Sequence, residues 1–187
     1  MLVRHATTSA VRRAAFPDDE CLDAAGEASA RALVGALGRG EALCGPSERS
    51  RATARLAGLD ARVDPALDEC DFGSWRGRTL AEVHAESPDD AAAWMTDPSS
   101  RPHGGESLEA FAARVGTWLD GQAAEDGRAI AVTHGGVIKA AVVHALGAPL
   151  DAFWRVDATP LLTTALHAHE GRWTVVRVNA PVVGRDP

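Results

Sequence analysis

Apolar residues along this chain fall into two rhythms. Short unbroken runs read as buried strands, and longer stretches with a period near 3.6 read as helices. The first run, Leu2-Val3, ends at once in Arg4-His5 and the polar Thr7-Thr8-Ser9. That pattern predicts a buried strand delivering a charged end to a site. Residues 10–22 read as irregular, with Pro17 and the acidic Asp18-Asp19-Glu20. Asp23 caps a predicted helix to about Leu37, with Ala28, Ala32, Leu33 and Ala36 on its inner face; Gly38 and Gly40 stop it. Ala42-Leu43-Cys44 predicts a second strand, Gly45-Pro46-Ser47 a turn, and Arg49 to Leu59 a helix. Ala61-Arg62-Val63 predicts a third strand, extended by Ala66-Leu67 beyond Pro65.

Residues 68–106 break the alternation. Thr79 to Glu82 is a capping box that opens a short helix, Ser87-Pro88 opens another, and Asp97 to Gly105 reads as a loop. The segment reads as a lid-like insertion over one sheet edge, within a single domain spanning residues 1–187. From Ser107 the helical period is strong: Leu108, Phe111, Ala112, Val115, Trp118 and Leu119 form one stripe. Ala129 to Val132 predicts a central strand that gives way at Thr133-His134-Gly135-Gly136 to a helix through Leu146. Leu161 to His169 and Trp173 to Val178 flank Glu170-Gly171-Arg172 as a β-hairpin at the far edge. The fold class is therefore α/β: a three-layer α/β/α sandwich with a mostly parallel central sheet and a C-terminal β-hairpin at its edge.

Composition narrows the function. With 187 residues the chain holds one sizeable core, and 45% apolar residues exclude disorder. A net charge of -7 argues against a nucleic-acid partner. No apolar run approaches the roughly 18 residues of a membrane span, and Arg4 and His5 interrupt any leader, so no membrane role is expected. Three widely spaced cysteines, Cys21, Cys44 and Cys70, suit free thiols and a cytoplasmic location. The expected form is a monomer or homodimer.

The chemistry gathers at strand ends. His5 and His134 each close a strand, and the strand ending at Cys44 leads to Arg49. Ligands of open α/β sheets bind beyond such carboxyl ends. Arginine offers a planar fork for phosphate, and histidine a nitrogen nucleophile or proton carrier. Gly135-Gly136 lets backbone approach a ligand at a helix start.

Four patches in order resemble the histidine phosphatase superfamily, in its phosphoglycerate-mutase-like branch. Leu2-Val3-Arg4-His5-Ala6-Thr7-Thr8 resembles L-x-R-H-G-x-T, and Pro46 to Ala54 resembles S-P-L-x-R-A-x-x-T-A. Leu67 to Gly77 resembles L-x-E-x-x-F-G-x-W-x-G, and Val132 to Gly136 resembles V-x-H-G-G. The resemblance implies a phosphomonoester hydrolase of small phosphorylated metabolites. His5 would be the nucleophile, forming a phosphohistidine. Arg4, Arg49 and His134 would bind the phosphoryl group, with Thr8 and Gly135 beside it, and no metal or cofactor would be needed. Glu69 would protonate the leaving oxygen and then activate water. The alternatives are a mutase of the same family, which tends to have a longer insertion, and a catalytically weak binding relative.

Two departures stand out. The usual glycine after the nucleophile is Ala6, which adds strain if the site needs a positive φ. The usual phosphate-contacting asparagine is Val11, so that contact is missing or Arg12 or Arg13 supplies it instead. Two rival chemistries have weaker support. Cys70 to Arg76 fits the C-x₅-R of cysteine phosphatases, with Asp71, Phe72 and Trp75 ill-suited to a phosphate loop. His167 and His169 share a strand face but lack further ligands except Glu170. Phe72, Trp75, Trp94 and His103 are candidates to line a leaving-group pocket.

Overall fold

A computed structural model describes residues 1–182. The elements in chain order are β1 (Leu2–Arg4), α1 (Ser9–Arg13), α2 (Ala24–Arg31), β2 (Glu41–Cys44), α3 (Glu48–Leu56) and β3 (Arg62–Val63). Then come α4 (Leu80–Glu86), α5 (Pro88–Thr96), α6 (Leu108–Ala123), β4 (Ala129–Thr133), α7 (Gly135–Leu146), β5 (Thr163–His169) and β6 (Arg172–Ala180). Short 3₁₀ turns lie at Pro65–Leu67, Gly73–Trp75 and Leu150–Arg155.

One six-stranded sheet runs in the order β3-β2-β4-β1-β5-β6. The pairs β3/β2, β2/β4 and β4/β1 are parallel, while β5 is antiparallel to β1 and to β6. The closing hairpin therefore forms the edge, as the turn at Glu170-Gly171 predicts. The strands alternate between two cores. Leu2, Leu43 and Ala131 face one cluster with Phe111, Val115, Val137 and Ile138 from α6 and α7. Val3, Cys44, Ile130 and Val132 face the other, with Leu37, Ala54 and Ala57 from the α2–α3 side. Both faces are covered, so the parallel strands read as continuous apolar runs. Phe111 is fully buried, and truncating such a side chain to alanine costs about 3–5 kcal/mol.

The structure departs from expectation at four places. Residues 9–13 form a helix, because the Thr8 hydroxyl accepts the Val11 amide as its N-cap. α2 ends at Arg31, not near Leu37, and tight turns follow through Gly35 at φ 77°. Its inward residues are Gly26 and Ala30, followed by Leu37 in those turns, while Ala28 and Ala32 are exposed. The helix rolls this way because a Cβ on Gly26 would lie 2.3 Å from the Thr7 carbonyl. Ala66-Leu67 is a 3₁₀ turn, not a strand: Pro65 fixes its start and the Asp64 side chain accepts the Ala66 amide.

The capping box at Thr79, the proline start of α5 and the α6 stripe lie where the pattern puts them. Trp75, Val83, Ala91 and Trp94 from residues 68–106 pack into the same core as α6. Cys21, Cys44 and Cys70 are free thiols, and no helix among the described residues is long and apolar enough to cross a membrane.

Candidate active site

β2, β4 and β1 are neighbours and parallel, so their carboxyl ends meet. β1 delivers Arg4 and His5 there, β4 delivers His134, and β2 leads through Ser47, the N-cap of α3, to Arg49. His5 is 4% exposed, and its Nδ1 lies 2.7 Å from the Ala6 carbonyl. A carbonyl only accepts, so Nδ1 carries the proton and Nε2 keeps a lone pair. Burial, aided by Arg49 and Arg4, lowers the His5 pKa to about 3. The ring is therefore neutral over the working pH range. Ala6 has no positive φ, so alanine brings no backbone strain there; its amide donates to Thr53 Oγ1 at 3.0 Å.

His134 is fully buried, and its ring stands edge-on to His5 with centroids 5.2 Å apart. Arg49 Nη2 donates to His134 Nδ1 at 3.3 Å. Nε2 then bears the proton and faces the hydroxyls of Ser50 at 3.2 Å and Ser47 at 3.3 Å, with Asp68 Oδ1 at 3.6 Å. Burial, then the neighbouring His5 and Arg49, hold its pKa well below the usual value. Arg49 itself is 3% exposed. Its Nε and Nη1, and the Nε of Arg4, are buried with no hydrogen-bond partner among the described residues. Arg4 spends Nη1 on the Ala158 carbonyl.

Glu69 reaches the same place from the loop after Leu67. Its Oε1 accepts the Cys70 amide at 3.1 Å and its Oε2 the Gly136 amide at 3.2 Å. Burial raises its pKa, against those hydrogen bonds and the nearby arginines. The two glycines of the β4–α7 junction differ in duty. A Cβ on Gly136 would sit 2.1 Å from Glu69 Oε1, whereas one on Gly135 would meet only Arg4 Nε, at 3.4 Å. Arg114 of α6 holds the Glu69 loop by donating to the carbonyls of Ala66, Asp68 and Glu69, and is itself paired with Glu106 at 2.7 Å.

Glu69 and Cys70 separate two clefts. One, of about 240 Å³, is lined by Arg4, Phe72, Trp94, Gly135, Lys139 and Trp154 among others. The other, of about 510 Å³, is lined by Arg49, Asp68, Arg76 and Arg114 among others. Of the proposed aromatic lining, Phe72 and Trp94 reach the smaller cleft; Trp75 and His103 stack behind them in the core. Thr8 is not a free phosphate donor here, because its hydroxyl donates to Glu20 Oε1 at 2.8 Å and caps α1. Arg12 turns outward to Asp23 at 2.7 Å and Arg13 is exposed, so neither replaces the missing asparagine.

The Cys70–Arg76 segment is no phosphate cradle. Its amides at 70, 71, 73 and 74 already donate to Glu69, Glu106, Asp71 and His103, and Arg76 pairs with Asp71. Burial pushes the Cys70 thiol pKa up, away from a nucleophilic thiolate. His167 and His169 are exposed on the hairpin, and no group of metal-ligating side chains gathers among the described residues.

Sequence reasoning missed five participants: Glu20, whose Oε2 lies 3.8 Å from Arg49 Nη1, Ser47 and Ser50, Arg114, and Lys139. Lys139 alone left a signal, as the single lysine of the chain, one turn beyond Gly135.

The chain resembles known proteins in sequence and in fold. The sequence profile of the histidine phosphatase superfamily (branch 1) matches residues 1–181. An adenosylcobalamin/alpha-ribazole phosphatase of Salmonella typhimurium is 31% identical over 151 residues, which cover 76% of this chain and 74% of that protein. A glucosyl-3-phosphoglycerate phosphatase of Mycolicibacterium vanbaalenii is 36% identical over 104 residues, covering 51% of this chain and 46% of that protein. The structure of a mycobacterial glucosyl-3-phosphoglycerate phosphatase with VO3 superposes with a TM-score of 0.84 at 28% identity, covering 96% of this chain and 97% of that one.

Proposed function

The chain belongs to the histidine phosphatase superfamily, branch 1, and we propose that it hydrolyses phosphomonoesters of small alcohols through a phosphohistidine on His5. One observation carries the reading: buried guanidinium nitrogens of Arg4 and Arg49 that hold no hydrogen bond among the described residues, beside a neutral histidine. Buried donors are seldom left unpaired in a native fold, and an oxyanion would satisfy these.

In the first step the lone pair of His5 Nε2 attacks phosphorus, and the bond from phosphorus to the ester oxygen breaks. Nδ1 keeps its hydrogen bond to the Ala6 carbonyl, which stabilises the charge gained by the ring. Arg4 and Arg49 neutralise the phosphoryl oxygens. His134, whose Nδ1 accepts from Arg49, holds that guanidinium beside the phosphoryl oxygens. Glu69, whose pKa burial raises, gives its proton to the leaving alkoxide as that bond breaks. As a carboxylate it then takes a proton from water, which attacks the phosphohistidine and releases phosphate.

The departures at Ala6 and Val11 give no support to an inactive relative, since Ala6 is unstrained and the guanidinium donors remain free. The relatives' names differ in the alcohol released, so the shared part is the phosphoryl end. Rapid quench with labelled phosphomonoester, in EDTA, should trap an acid-labile, base-stable phosphoenzyme that His5→Ala abolishes. Label stable to acid, or activity unaffected by His5→Ala, would overturn the assignment.

A further inference from the structure

Lys139 is the sole lysine in a chain that otherwise uses arginine for its basic side chains. It stands on α7, four residues after Gly135, and lines the smaller cleft with Arg4, Gly136 and Asp157. Helical side chains lean toward the N-terminus, so its ammonium is aimed back toward the phosphoryl end. It is half-buried, and burial lowers its pKa against the pull of Asp157 and Glu69. Among the described residues no hydrogen bond or ion pair engages it; its contact is the face of Phe153 at 5.4 Å.

The acids nearby hold other partners, and neither pairs with the ammonium. Asp157 Oδ1 accepts the Ala158 amide at 2.8 Å and Oδ2 accepts from Asn179 Nδ2 at 3.4 Å. Glu69 is held by the amides of Cys70 and Gly136. A half-buried ammonium that no side chain pairs and that opens onto the cleft suits an anion from outside the chain. The rest of the wall is apolar: Phe72, Trp94 and Trp154 line the same cleft. At about 240 Å³ it takes one ring or a short chain, not a macromolecule.

We propose that Lys139 is a specificity residue that receives a carboxylate carried by the leaving alcohol, whose apolar body lies against Phe72, Trp94 and Trp154. The inference rests on the reading that Arg4, Arg49 and His5 take the phosphoryl group. The preferred substrates are then phosphomonoesters of carboxylate-bearing alcohols.

The test compares phenyl phosphate with its 3- and 4-carboxyphenyl counterparts on the wild type, Lys139→Met and Lys139→Gln. The readout is the kcat/KM ratio of carboxylated to plain ester, so any loss common to both cancels. The wild type should favour one carboxylated ester by about tenfold or more, the worth of a charge-assisted hydrogen bond. Both variants should bring the ratio to about one or below. A wild type that prefers the plain ester, or a preference that survives in both variants, overturns the proposal. Calorimetric titration with benzylphosphonate and its carboxylated forms gives the same comparison without turnover. If no ester is hydrolysed, the phosphatase reading fails, and the phosphonate affinities still decide for or against Lys139. Failure of the wild type to bind any phosphonate would overturn both.

Discussion

Gly135 and Gly136 are alike in sequence, yet the structure predicts opposite outcomes for their alanine variants. In Gly136→Ala the new Cβ would lie 2.1 Å from Glu69 Oε1, 3.0 Å from its Cδ and 3.2 Å from Phe111 Cε1. Phe111 is fully buried and has nowhere to go, so the carboxyl group must move. It then loses the hydrogen bond from the Gly136 amide, about 0.5–1.5 kcal/mol for the neutral acid. More is lost in the chemistry. A positioned general acid contributes roughly 10²–10⁴-fold, about 2.7–5.5 kcal/mol of barrier. Single-turnover rapid quench should therefore show phosphoenzyme formation from an alkyl phosphate slowed by about 10²–10⁴-fold. Formation from p-nitrophenyl phosphate should suffer much less, because that leaving group needs no proton. Hydrolysis of the phosphoenzyme should slow for both, since the same carboxylate activates water. Glu69→Gln should reproduce the split without the steric insult. Gly135→Ala meets only ordinary contact with Arg4 and should stay within roughly threefold of wild type, the scatter of unstrained changes. A folded Gly136→Ala with wild-type rates on alkyl esters would refute the placement of Glu69. Equal slowing of formation from both ester types, in Glu69→Gln as well, would make Glu69 a positioning group and not the proton donor.

Cys70→Ser should keep kcat/KM within a few-fold and lower stability by about 1 kcal/mol, because the thiol is a buried core atom with no step to perform. Ser50→Ala removes one acceptor from His134 Nε2 while Ser47 remains at 3.3 Å; it should cost several-fold in kcat/KM, about 1 kcal/mol, by steady-state assay. The raised pKa of Glu69 sets two pH trends. Turnover of alkyl esters should fall as pH rises through that pKa, since the protonated form is the acid. Because the folded pKa lies above the unfolded one, folding favours the protonated group, and Glu69 costs stability once pH exceeds the ordinary carboxyl range. The Tm advantage of Glu69→Gln over wild type should grow with pH and vanish in acid, as scanning calorimetry would show.

The sheet was legible because parallel strands covered on both faces must be apolar throughout, and the runs at Leu2, Ala42 and Ala129 are. α2 was misread because alanine is a poor marker of a face. With Ala24, Ala25, Ala28, Ala30 and Ala32 all in play, the roll of the helix is set by what can touch the Thr7 backbone, and that residue is Gly26. The strand drawn through Ala66-Leu67 failed for a local reason: the Asp64 side chain offered the Ala66 amide a partner that the sheet did not.

The same distinction explains which parts of the candidate site were readable. His5, His134 and Arg49 stand far apart in sequence, but each follows a strand, and β1, β4 and β2 are parallel neighbours. Any chain with that strand order brings those three loop starts together, whatever lies between them, so motifs there can be read as one site. Glu69 enjoys no such guarantee. It follows the 3₁₀ turn after the edge strand β3, and no ladder register fixes it. Its place depends on Arg114, 45 residues away on α6, on Glu106 behind that arginine, and on the absence of a side chain at Gly136. The nucleophile and its arginines are thus held by the sheet, and the proton carrier by side chains. Weakening the clamp, by Arg114→Met for example, should accordingly damage proton transfer to alkyl leaving groups before it damages phosphoryl binding.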